Sequence, residues 1–177
     1  MKFVGISGSL RAASTNTALL RATQELLPEG VTMEMVTLNA LPMLNPDDLA
    51  NGFPDLVNQL AAQAKAADAL ILATPEYNYS ISAALKNYID WLSIHPDAPF
   101  KHKPIAIMSS SPGIFGGARA QYHLRQMFIY ADAKVLNGPE IMVGLSGEKI
   151  TEQGELVDAA SRDLIAQQMQ ALAKLAS

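Results

Sequence analysis

The densest run of side chains suited to chemistry is Ser7-Gly8-Ser9-Leu10-Arg11-Ala12-Ala13-Ser14-Thr15-Asn16-Thr17. Ser9, Ser14, Asn16 and Thr17 offer hydroxyl and amide donors. Arg11 adds a permanently charged fork that suits phosphate oxygens. The run joins a short apolar segment to one of helical period, so it leads into a helix N-terminus, where free N–H groups and the positive dipole end attract anions. Gly8 allows a tight turn or a positive φ. A plain capped turn would use Ser14 or Asn16, but it leaves Arg11 and the other polar side chains unexplained. The loop is neither G-x-G-x-x-G nor G-x-x-x-x-G-K-[ST], which argues against a dinucleotide pyrophosphate turn and a P-loop. A lone monophosphate is the expected guest of Gly8–Asn16.

Two further loops stand out. Thr74-Pro75-Glu76-Tyr77-Asn78-Tyr79-Ser80 places two tyrosines and an amide between a proline and a helix start. A planar heteroaromatic ring needs flat apolar surface with backbone donors and acceptors at its edge, and a proline-stiffened loop supplies both. Alternatively, Ser80 or Ser82 caps the next helix and the tyrosines pack at an interface. In Ser109-Ser110-Ser111-Pro112-Gly113-Ile114-Phe115-Gly116-Gly117-Ala118-Arg119, the glycines and serines let backbone N–H groups approach a ligand closely.

The elements that must position these loops are legible from apolar spacing. Phe3–Ile6, Ala69–Ala73 and Pro104–Met108 read as buried strands, and Val31–Leu38 alternates like a half-exposed one. Lys134–Val143 is a broken fifth strand, interrupted by Asn137-Gly138-Pro139. Helical spacing runs through Thr17–Leu27, through Phe53–Ala64, through Ser82–Ser93 with Lys86 and Asp90 paired on its surface, and through Gly117–Tyr130. A last helix, Leu156–Leu175, is expected to bury Leu156, Ala160, Leu164, Met169, Leu172 and Leu175. Strands alternating with helices imply an α/β fold, a parallel sheet covered on both faces. Ligands of such sheets bind beyond the carboxyl ends of the strands, where the three unusual loops fall.

Composition narrows the field. A chain of 177 residues, 49% hydrophobic and 17% charged, is expected to fold as a single domain over 1–177. Its formal charge of −4 gives no basic face for nucleic acid. With no cysteine, disulfides, zinc-thiolate sites and thiol catalysis are excluded. No signal segment or membrane span is legible, so a cytoplasmic protein is expected. His123 reads as a packed or surface residue, and His95 and His102 as solvated. No cluster has metal-ligand spacing.

Together the loops resemble the NADPH-dependent FMN reductase family, in particular its quinone and chromate reductase branch. The resemblance rests on Gly8-Ser9-Leu10-Arg11…Ser14…Asn16, on Thr74–Ser80 with Leu85-Lys86-Asn87…Ile89-Asp90-Trp91, and on Gly116-Gly117-Ala118-Arg119…Gln121…Leu124-Arg125. It implies a flavodoxin-like three-layer sandwich, a five-stranded parallel sheet in the order 2-1-3-4-5. It further implies that Ser9, Arg11, Ser14, Asn16 and Thr17 hold the phosphate of FMN. Pro75, Glu76, Tyr77 and Asn78 would line the flavin ring, with Ser111 and Gly113 near it from the other side. Electrons would pass from NADPH or NADH to quinones, free flavin, azo compounds or chromate, with the chemistry at flavin N5 and no catalytic side chain required. Homodimers or homotetramers are implied, with Arg125 and Glu140 at positions the branch uses between subunits. Two departures stand out: Ser82-Ala83-Ala84 replaces the usual Pro-Gly, and Val143–Gly154 carries no matching motif. The rival from another class is a flavodoxin-type electron carrier without nicotinamide turnover. Such carriers tend to be strongly acidic, unlike this chain. A phosphoacceptor domain would need an acidic pair where Ser7-Gly8-Ser9 stands.

Overall fold

The computed structural model describes residues 1–177. Its centre is a parallel sheet of β1 (Lys2–Ser7), β3 (Ala69–Thr74) and β4 (Pro104–Ser110), in which every residue of β3 is buried. β2 (Thr32–Val36) pairs with β1 at one edge. The other edge is the broken strand: β5 (Lys134–Val135) pairs with Pro104–Ile105, and β6 (Ile141–Val143) pairs with Met108–Ser110. The order β2-β1-β3-β4-β5, with β6 continuing along β4, is flavodoxin-like. Pro139 has no N–H to give to a ladder, which suits its place in the gap between β5 and β6.

Strand side chains alternate between two cores. Val4, Ile6, Leu70, Leu72, Ile105 and Ile107 meet α2 (Asp55–Ala66), α3 (Ala83–Ser93) and α4 (Ala118–Tyr130). Phe3, Ile71, Ala106 and Met108 meet α1 (Thr15–Glu25) and α6 (Ala159–Ala176) on the other face. A short helix, α5 (Ser146–Lys149), follows β6. No helix is long and apolar enough to cross a membrane.

Four expectations change. Helix α1 starts at Thr15 rather than Thr17, because Ser14 Oγ accepts from the Thr17 N–H at 3.2 Å and caps it. Ser109 and Ser110 belong to β4, where pairing with β6 extends the strand. In α6 the buried stripe is Ser161, Ile165, Gln168, Met169 and Leu172, while Ala160 and Leu164 face outward. Leu156 pairs back to Ile150 before the helix begins, and Asp158 caps its start, so the helix begins at Ala159 rather than Leu156 and its first turns bury Ser161 and Ile165, each one residue on from the expected Ala160 and Leu164. His95 is buried rather than solvated: Phe53 lies 4.8 Å from its ring and Asn58 Oδ1 is 3.1 Å from Nε2.

Candidate flavin site

The loop after β1 is held from beneath. The Gly8 N–H donates to Ala73 O at 2.8 Å, and Ser82 Oγ donates to Gly8 O at 2.5 Å. A Cβ on Gly8 would stand 3.2 Å from both Ala73 O and Leu85 Cβ. Close approach to β3 and α3, not a left-handed φ, therefore requires glycine here. Ser82 also accepts from the Leu85 N–H as the N-cap of α3. One hydroxyl thus starts α3 and pins the loop after β1, at the position where the sequence departs from Pro-Gly.

Above this base the predicted phosphate residues divide. Arg11 is exposed and pairs with no carboxylate. The N–H groups of Thr15 and Asn16, the first two of α1, meet no protein acceptor. Free donors beside a mobile-stemmed cation are what an anion requires. The Asn16 side chain, by contrast, is committed: Nδ2 donates to Ser110 O at 3.1 Å, and Oδ1 accepts from Ser110 N at 2.9 Å. It ties α1 to the end of β4 and can face a ligand only through its backbone. Thr17 Oγ1 lies 2.8 Å from Ser7 Oγ and stays outside the cleft.

After β3, Tyr77 and Ser80 exchange backbone hydrogen bonds of 2.9 and 3.0 Å around a two-residue turn. Asn78 and Tyr79 take φ of 49° and 67°, the signature of a type I′ turn. Asparagine tolerates that region, whereas tyrosine is strained by about 1–2 kcal/mol. The Glu76 side chain turns away from solvent toward α4. Oε2 accepts from the Arg119 and Ala120 N–H groups at 3.1 and 3.3 Å, and Oε1 accepts from the Arg119 guanidinium at 3.1 Å. The loop after β4 is shaped by backbone contact: a Cβ on Gly116 would lie 2.5 Å from the Met142 carbonyl carbon. A Cβ on Gly113 would meet nothing nearer than Ser111 Oγ at 3.9 Å, so that surface is open to a ligand.

These loops converge on one cleft. Its walls bring together Ser9, Arg11, Ser14, Asn16, Pro75, Glu76, Tyr77 and Ser111, and add Thr15, Ser110 and Pro112. Asn78 and Gly113 stand beyond its lining. The residues missed in the sequence follow from the misplaced ends of α1 and β4. A Ser14 cap would have identified Thr15 as the first N–H of the helix. The donor set fits a phosphate joined to a flat ring: free N–H groups and Arg11 at one end, a proline and a tyrosine at the other. Ser110 Oγ, buried with no partner, sits in the wall between.

A parallel sheet of this order, with an anion cradle after its first strand, defines a flavodoxin-like mononucleotide-binding protein. Within that class the chain belongs to the NADPH-dependent FMN reductase family, which residues 1–148 match. It is 48% identical to the NAD(P)H-dependent FMN reductase of Pseudomonas aeruginosa over 172 residues, covering 97% of this chain and 93% of that protein. It is 40% identical to the quinone reductase of Escherichia coli K12, again covering 97% and 93%. Among solved structures, the NAD(P)H:(acceptor) oxidoreductase of Paracoccus denitrificans superposes with a TM-score of 0.88 at 27% identity, over 99% of this chain and 96% of that one.

Proposed function

We propose that this chain is a cytoplasmic, single-domain oxidoreductase that passes electrons from NADPH or NADH, through FMN held in the cleft, to small acceptors such as quinones, free flavin, azo compounds or chromate. The observation that carries the reading is the cradle. The uncapped N–H groups of Thr15 and Asn16 and the unpaired Arg11 share one cleft with Pro75, Tyr77 and Ser111. When bound, the flavin supplies the redox chemistry, accepting hydride and returning electrons to the acceptor. The chain's part is to bind and orient. Arg11, Ser9 and the start of α1 hold the phosphate, with Ser14 shaping the cap and Asn16 and Thr17 bracing the loop behind. Pro75, Tyr77 and the backbone of Glu76 and Asn78 flank the ring on one side, and Ser111 and Gly113 flank it on the other. Subunits associate as dimers or tetramers, a reading supported by the exposed Ile129 and Tyr130 of α4.

The protein should purify yellow. Under anaerobic conditions, NADPH or NADH should bleach the flavin absorbance, and an added quinone should restore it. A yellow protein that neither nucleotide bleaches would instead be an electron carrier of the flavodoxin type.

A further inference from the structure

Helix α4 lacks a cap of its own. Its N-cap position is Gly117, in the left-handed region at φ 91°, with no side chain to accept from the first turn. The missing acceptor comes from the loop after β3: Glu76 Oε2 takes the Arg119 and Ala120 N–H groups, and Oε1 takes the Arg119 guanidinium. That guanidinium lies between two aromatic rings, 4.2 Å from the centroid of Tyr79 and 4.5 Å from that of Phe115. Four side chains thus join the loop after β3 to the loop after β4. Tyr79 holds its ring there from a strained left-handed backbone, where glycine would sit without cost. Such strain persists where the surroundings impose it, most often at functional sites.

The pair is more than an ordinary surface contact. The Glu76 side chain is only 14% exposed and that of Arg119 36%, and Glu76 itself lines the cleft. A carboxylate and a guanidinium held together at this edge present little net field to the cleft. Each alone would present a full charge in a partly desolvated place, where Coulomb interactions exceed their value in water. A flavin gains negative charge on reduction, so an uncompensated cation beside it favours the reduced form and an uncompensated anion the oxidised form.

We propose that the Glu76–Arg119 clasp is a positioning and charge-balancing device. Through it, the two loops that flank the flavin are locked together, and the reduction potential of the bound flavin is set by the pair's neutrality. This rests on FMN occupying the cleft.

The test is the midpoint potential of bound FMN, measured by equilibration with reference dyes, together with the FMN dissociation constant. Glu76→Gln keeps an acceptor for the α4 N–H groups but removes the anion. It should favour reduction by about tenfold, roughly 30 mV upward for a two-electron couple. Arg119→Met keeps an apolar stem between Tyr79 and Phe115 but removes the cation, and should shift the potential downward by a similar factor. The double variant should return near the wild-type value, while all three bind FMN more weakly because the clasp is gone. A purely structural contact would weaken binding without opposite shifts in potential. Equal or same-direction shifts in the single variants would therefore overturn the charge-balancing role. Should Arg119→Met not fold, an unmoved potential in Glu76→Gln would overturn it alone. A wild-type protein that takes up no FMN would overturn the flavin reading and the clasp with it, an outcome visible before any variant is made.

Discussion

Arg11 and Asn16 sit five positions apart in one loop, yet their side chains have opposite commitments. Arg11 is exposed and touches no carboxylate, so the fold gains nothing from its charge. Charge-assisted hydrogen bonds contribute about 1.5–3 kcal/mol, so Arg11→Ala should weaken FMN binding by roughly 10- to 100-fold while leaving the melting temperature in place. Titration of apoprotein with FMN and a thermal melt of the same sample check both halves. Asn16 is buried and spends both ends of its amide on the Ser110 backbone. Asn16→Ala strands that buried N–H and C=O, a loss of about 2–4 kcal/mol. Its melting temperature should fall by roughly 5–12 °C on the usual scaling for a chain of this length. A sequence shows both residues as polar members of a phosphate loop. Only the end of β4, brought alongside by the sheet, separates the side chain left free from the one that braces the loop.

Among the elements, the Gly113–Gly116 segment shows how the backbone sets the site. Gly116 crosses Met142 so closely that a Cβ would overlap its carbonyl, and Gly144 stands in the same relation to the Ile114 carbonyl. Gly116→Ala should therefore displace the loop after β4 and lower both FMN affinity and stability. Gly113→Ala has room and should leave the urea midpoint unchanged. A paired urea and flavin titration tells the two apart. Helix α6 offers a pH signature. Asp158 caps it by accepting from the Ser161 N–H at 2.9 Å and the Ser161 hydroxyl at 2.5 Å, and these bonds hold its carboxyl below the usual value. A depressed pKa in the folded state means the contribution is present above the unfolded pKa of about 3.9 and is lost as pH falls through the folded one. Asp158→Asn should flatten that part of the acid limb, read from urea midpoints between about pH 5 and pH 2.5.

At the scale of the whole molecule, the order of strands and helices was legible because continuous apolar runs such as Ala69–Ala73 mark strands covered on both faces. What the sequence does not show depends on contacts between distant segments. Glu76 reads locally as part of a ring-binding loop, yet its carboxylate caps a helix 43 positions away. Gln168, absent from the expected apolar stripe of the last helix, is buried, and Ile107 O and Pro139 O accept from its amide. The outer face of α4 is the remaining large feature. Ile129 and Tyr130 are 78% and 86% exposed, and Tyr122 lies exposed two turns earlier. Beside them, Arg125 donates to Leu136 O at 2.9 Å and approaches Glu140 at 3.8 Å within its own chain. Contiguous exposed apolar patches are common sites of association, and the proposed dimer or tetramer would place a second copy of this chain on this face. Ile129→Lys places a charge where an apolar contact would be buried, so it should shift the sedimentation coefficient toward the monomer. FMN titration of that monomer reports whether the cleft is complete in one copy: retained binding would mean that the residues lining it here suffice. Loss of FMN on dissociation would instead mean that a neighbouring subunit completes the site. An unchanged sedimentation coefficient would move the association surface away from α4.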